Sequence, residues 1–297
     1  MTGRQLAIIL YDQEVLAEDE DMYTALTYST ISSYDFFKAK IKDIEITPAQ
    51  LALDPCSASC VITDVDTGEL LACVTYPGYD NNRLANSVDS DYYAALNDDL
   101  SLPLYNHATQ QKTAPGSTFK MLMSAAGLTE GVITTTEEIT DEGLFEKVSP
   151  SPACWIYNLS HTTHGSINVS EALRDSCNYF FYEVGYRLST VGSTYNESKG
   201  LDMIAKYADL FGLDETTGIE IPESSPSVAD EYPIRASIGQ SNNSYTTTEL
   251  SRYVTAVASK GTLYKYTLLK KVTDSDGNVL EEYEPEVESE IDEIADS

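Results

Sequence analysis

Ala114-Pro115-Gly116-Ser117-Thr118-Phe119-Lys120-Met121-Leu122-Met123-Ser124-Ala125-Ala126-Gly127-Leu128, residues 114–128, decides how this chain is read. Pro115-Gly116 is a turn signal. From Gly116 onward the composition is helical and, past Lys120, uncharged, which predicts a helix buried on most of its faces. The turn therefore delivers Ser117 to the start of a buried helix. Lys120 follows on the same face, one turn on, near enough for its amine to meet the hydroxyl. A serine hydroxyl is a poor nucleophile at neutral pH and needs an adjacent base. A lysine can be that base if its pKa falls, and burial among Met121 and Met123 would lower it. Amides of the first turn also point to where negative charge would develop. Taken alone, Ser-x-x-Lys is usually a capping serine followed by a surface lysine; the Pro-Gly turn before it and the uncharged helix after it bring the two readings level.

Upstream of this stretch, Cys60-Val61-Ile62-Thr63-Asp64-Val65 and Leu70-Leu71-Ala72-Cys73-Val74-Thr75 are β-rich runs around Asp66-Thr67-Gly68, a hairpin signal. Residues 1–54 show a short apolar start, the acidic run Glu18-Asp19-Glu20-Asp21 and a predicted helix over 33–42. Downstream, Asn168-x-x-Glu171 opens a second helical region like a capping box, with a break at Ser176–Asn178. Leu201–Leu213 has amphipathic spacing. Thr246-x-x-Glu249 caps a further helix that stops at Gly261. A last hairpin, 268–274 and 278–283, precedes the acidic end. Strands, then a helical block, then strands predict an α+β fold.

The chain has 297 residues, long enough for a sizeable core. Lys and Arg total 18 against 48 Asp and Glu, a formal net charge of −30. So acidic a field repels phosphate backbones, and no nucleic-acid partner is expected. Residues 281–297 hold nine acids and no base and read as a solvated tail. No apolar run approaches the roughly 20 residues of a membrane span. Five cysteines are too few, and odd in number, for a disulfide scaffold. Cys56-x-x-x-Cys60, or Cys154 with His161 and His164, offers zinc ligands without a second half at familiar spacing. Neither a metal nor a cofactor is expected.

Ser176-Cys177-Asn178 has two meanings by itself: a second hydroxyl and an amide facing a substrate, or polar groups satisfying a helix end. With its neighbours it gains weight. Asp66-Thr67-Gly68-Glu69-Leu70-Leu71-Ala72, Pro77-Gly78-Tyr79-Asp80-Asn81-Asn82, Leu102-Pro103-Leu104-Tyr105-Asn106, Pro115–Lys120, Ser176-Cys177-Asn178-Tyr179-Phe180-Phe181 and Ser237-Ile238-Gly239-Gln240 stand in this order. Together they resemble the transpeptidase domain of class B, monofunctional penicillin-binding proteins, over about residues 56–285. Two of that family's three signatures, Ser-x-x-Lys and Ser-x-Asn, are in place.

The resemblance implies a penicillin-binding/β-lactamase-like fold, an antiparallel sheet packed with a helical block. It implies a D,D-transpeptidase of cell-wall synthesis that acts through an acyl-serine on D-Ala-D-Ala stem peptides. By motif position Ser117 would be the acylated nucleophile, Lys120 its base, Ser176 the relay to the leaving amine and Asn178 the holder of the substrate amide. The Ser117 N–H would be half of the oxyanion hole. Peptidoglycan stem peptides, β-lactam antibiotics and proteins of a cell-wall synthesis complex are the implied partners, at the extracytoplasmic face of the membrane. Two departures stand out. His107 replaces the arginine of the family's Asn-Arg-Ala pattern, and no Lys-Thr-Gly triplet occurs. Lys260-Gly261-Thr262 has the letters in another order, and Lys112-Thr113-Ala114 precedes the nucleophile. The expected organisation is therefore a linker or pedestal end over 1–54, a transpeptidase domain lacking its C-terminal part over 55–285, and an acidic tail over 286–297. Impaired activity is expected with it. A β-lactam sensor or hydrolase, with Glu171 or Glu183 as water-activating base if either left its solvent-facing helix position, and a non-catalytic docking module are the alternatives.

Overall fold

The computed structural model describes residues 2–17, 19–43, 45, 46, 57–284 and 286–292. It divides into two units, Met1–Ser57 with Pro77–Leu104, and Ala58–Tyr76 with Tyr105–Ser297. Cys56 and residues 293–297 lie outside the described residues.

The first unit holds α1 (Gly3–Asp12), α2 (Glu20–Thr27), α3 (Ser33–Lys42) and α4 (Ser90–Asp98). Each start is capped by a side chain. Thr2 forms a capping box with Gln5, and Asp19, Ser32 and Asp89 accept from the Met22, Asp35 and Tyr92 amides. The acids that make the segment look featureless thus do local work: Glu20 and Asp21 occupy the first turn of α2, where the helix dipole favours them. Ala7, Leu10, Leu16, Leu26, Phe36 and Ile46 close a small core of their own.

The second unit contains β1 (Ala58–Thr63), β2 (Leu70–Tyr76), α5 (Lys120–Thr129), β3 (Ile139–Asp141), α6 (Trp155–Ser160), β4 (Gly165–Ile167), α7 (Val169–Arg174) and α8 (Asn178–Leu188). It continues with β5 (Thr190–Val191), β6 (Thr194–Tyr195), α9 (Glu197–Leu210), α10 (Pro233–Ala236), α11 (Thr247–Ala258), β7 (Thr262–Lys265), β8 (Lys271–Thr273), β9 (Val279–Glu282) and β10 (Glu286–Glu290). Among the described residues the strands form five antiparallel pairs, the expected α+β mixture. The predicted first hairpin pairs Cys60 with Val74. Helix α11 lies along β1 through hydroxyl pairs, Ser59 with Thr247 at 2.7 Å and Thr63 with Ser251 at 2.8 Å. Phe119, Leu122, Met123 and Ala126 of the α5 region share one buried core with Phe180, Phe181 and Val184 of α8.

The tail departs from expectation. Residues 286–290 form β10, paired with β7. Charge counting misses this because the countercharge is distant in sequence: the buried Arg252 guanidinium donates to Glu288 at 3.0 Å. Ile291 is also buried, its amide bonded to the Gly261 carbonyl at 2.9 Å. No helix of the described residues is long and apolar enough to cross a membrane.

Candidate active site

Ser117 lies in a 3-10 turn, Gly116–Phe119, that runs directly into α5. In that tighter winding residues i and i+3 eclipse, which stacks Lys120 under Ser117. Two remote groups hold the junction. The Tyr253 hydroxyl donates to the Thr118 carbonyl and accepts from the Leu122 amide, both at 2.9 Å. The Gly116 amide donates to the Gly239 carbonyl at 3.0 Å. Gly239 has φ +71°, and a Cβ there would run into the Gly116 backbone, so only glycine fits. Ser237-Ile238-Gly239-Gln240 is thus the backstop of the turn that carries Ser117.

Lys120 is 1% exposed. Its ammonium donates to the Ser176 carbonyl at 2.8 Å, Ser176 Oγ at 3.0 Å and Asn178 Oδ1 at 2.7 Å. Ser176 Oγ in turn donates to Ser117 Oγ at 2.8 Å. The structure therefore brings together all four residues singled out in the sequence. Their wiring differs from the expected direct meeting of Lys120 and Ser117: three ammonium donors meet three acceptors on 176–178, and the link to Ser117 passes through the Ser176 hydroxyl. Burial pushes the Lys120 pKa down to about 8, with the Cys177 and Cys154 sulfurs acting in the opposite sense.

The predicted break between α7 and α8 supplies this geometry. Ser176 adopts φ +52°, a left-handed conformation that costs a side-chain-bearing residue about 1–3 kcal/mol. Cys177 caps α8, and Asn178 is its first residue. Sequence reading leaves out Trp155, whose indole N–H donates to the Ser176 carbonyl at 3.1 Å. A lone tryptophan in a loop-rich stretch is the one signal that could have marked it.

Beneath the same turn, Asp141, Cys154, His164 and Cys177 place a carboxylate oxygen, an imidazole nitrogen and two sulfurs within 4.8 Å of one another. The sequence spacing argues against a metal site; the fold collects these four from β3, two loops and the α8 cap. Two cysteine sulfurs, one imidazole and one carboxylate are a donor set suited to tetrahedral zinc. His164 Nδ1 meets Asp141 Oδ2 at 2.8 Å. Asp141 is raised by burial, but its bonds from the Gly143 amide and His164 outweigh this and hold it below the usual range. The thiols split, Cys154 downward and Cys177 upward, chiefly through their mutual contact at 3.9 Å. His161, offered with Cys154 in the sequence reading, caps α6 instead.

Other candidates lie elsewhere. Glu183, expected on a solvent face, is buried and paired with Lys147 at 2.7 Å and Arg187 at 2.9 Å. Glu171 closes the α7 capping box with Asn168. Lys112 donates to the Ser225 carbonyl and Ser227 Oγ. Lys260-Gly261-Thr262 forms the α11–β7 junction. His107 is buried, with Nδ1 against Gln111 Oε1.

The fold and this serine–lysine–serine–asparagine site define a penicillin-binding class of protein, and comparison agrees. Residues 58–294 match the penicillin binding protein transpeptidase domain, and the chain belongs to that family. It is 30% identical over 242 residues to peptidoglycan D,D-transpeptidase MrdA of Haemophilus influenzae, covering 75% of this chain and 34% of that protein. Against PbpA of Mycolicibacterium smegmatis it is 29% identical over 245 residues, covering 79% and 47%. The chain thus spans between a third and a half of these relatives. The imipenem acyl-enzyme structure of penicillin-binding protein A from M. tuberculosis superposes with a TM-score of 0.68 at 24% identity, over 80% of this chain and 54% of that one, which shows the shared fold.

Proposed function

We propose that this chain is the acyl-serine transpeptidase module of a peptidoglycan D,D-transpeptidase. The Lys120–Ser176–Ser117 hydrogen-bond chain on a buried lysine carries the reading. Ser117 Oγ attacks the carbonyl carbon of a D-Ala-D-Ala peptide bond. Its proton passes through the Ser176 hydroxyl to the neutral Lys120 amine, and the Ser117 amide supports the oxyanion. As the C–N bond breaks, Ser176 passes a proton from Lys120 to the departing D-alanine amine. An amine of a second stem peptide then takes the acyl group and frees Ser117. Asn178, held at its side-chain oxygen by Lys120, offers its amide N–H groups to the donor peptide.

Stem peptides as substrate, β-lactams as mimics that acylate Ser117, action at the extracytoplasmic face and assembly with cell-wall synthesis proteins belong to this reading by family likeness. Hydrolytic or sensing function has less support, since Glu171 and Glu183 are both occupied structurally.

Overnight incubation with excess fluorescent penicillin, followed by intact mass and peptide mapping, tests the reading. One adduct on Ser117, absent in Ser117→Ala, is expected. A chain unlabelled at Ser117 under these conditions overturns it.

A further inference from the structure

Ser176 has to hold its hydroxyl between Lys120 and Ser117 from a backbone conformation that side-chain-bearing residues avoid, φ +52°. Such a residue stays put only where its surroundings over-determine it. Its carbonyl accepts two hydrogen bonds, from Lys120 Nζ at 2.8 Å and from Trp155 Nε1 at 3.1 Å. These two donors differ in one respect. Lys120 has three N–H donors as an ammonium and two as the free amine, so it cannot keep all three acceptors once it loses a proton. The indole N–H remains a donor in every protonation state.

The Trp155 ring is itself fixed. It packs edge-on against His164, centroids 5.7 Å apart, and His164 is tied to Asp141. Its neighbour Cys154 meets Cys177, the neighbour of Ser176, at 3.9 Å, so two adjacent residues on one segment grip two on the other.

We propose that Trp155 is a positioning residue for Ser176, the donor that keeps the relay hydroxyl aligned while Lys120 changes protonation state. The kinetic part rests on the acyl-serine reading.

Trp155→Phe keeps a ring and removes the N–H. Because Trp155 is the sole tryptophan, growth on benzothienylalanine also replaces that N–H by sulfur at nearly unchanged shape. With benzylpenicillin, saturation kinetics separate the initial binding constant from the acylation step. Both proteins are expected to acylate about five- to tenfold more slowly, the weight of one neutral hydrogen bond, with the binding constant unchanged and Tm lowered by no more than a few degrees. Full-rate acylation by the benzothienyl protein, or a loss that follows Tm alone, assigns Trp155 to packing and overturns the proposal. A second readout needs no drug. Serine labelled at its 13C carbonyl with 15N-cysteine gives two cross-peaks, Ser59–Cys60 and Ser176–Cys177. Trp155→Phe is expected to shift the second and leave the first in place, and an unmoved second peak also overturns the proposal. A wild-type chain that fails to acylate removes the transpeptidase reading, while this shift still decides whether Trp155 holds Ser176.

Discussion

On the proposed acyl-serine reading, Lys120 sets the pH response of the site. Its pKa near 8, lowered by burial, means that the ammonium dominates below that value and the free amine above it. Acylation by benzylpenicillin is therefore expected to rise about tenfold per pH unit from pH 6 toward 8 and to level off beyond. A flat profile across this range would remove Lys120 as the base. Ser117 and Lys120 were legible in the sequence because their spacing, a Pro-Gly turn and an uncharged helix mark them, whereas Ser176 and Asn178 stood out only through the family resemblance, their spacing alone fitting a helix end. The wiring of the four was not legible, since Ser176 becomes the middle of the chain of hydrogen bonds only through its φ of +52°. Trp155 escaped for a related reason, as did Asp141 and Cys177 as the partners that complete the Cys154–His164 pair: these contacts are set by tertiary structure, not by spacing.

At the scale of elements, the turn that carries Ser117 depends on a segment well over a hundred residues away. Gly239→Ala places a methyl against the Gly116 backbone at a φ of +71°. The expected result is a Tm lowered by several degrees and penicillin labelling reduced at least tenfold, read by differential scanning fluorimetry and gel fluorescence. The four-donor cluster joins β3 to the α8 cap, so zinc added to chelator-treated protein is expected to raise Tm, a response that Cys177→Ser should blunt. Cooperative elements were largely readable: α3, the first hairpin, α11 and the α7–α8 break follow their caps and apolar spacing. Strand β10 was not, because Arg252 neutralises part of its charge from α11. Arg252→Met should free it, seen as fast amide exchange over 286–290 with the α5 core still protected.

For the molecule as a whole, a formal charge of −30 means that self-repulsion opposes the folded state. Raising sodium chloride from 10 to 300 mM shortens the screening length from about 30 Å to under 10 Å and is expected to raise Tm. A constant or falling Tm would show that local pairs such as Arg252 with Glu215 and Glu288 govern stability instead. The whole chain also owns a single indole, 43% exposed and one hydrogen bond from the residue that touches Ser117. Ultraviolet emission from the unlabelled protein therefore comes with a built-in address. A plate reader following its colour or brightness could watch antibiotics arrive and leave without any dye, and rank compounds by the change each imposes on that one fluorophore.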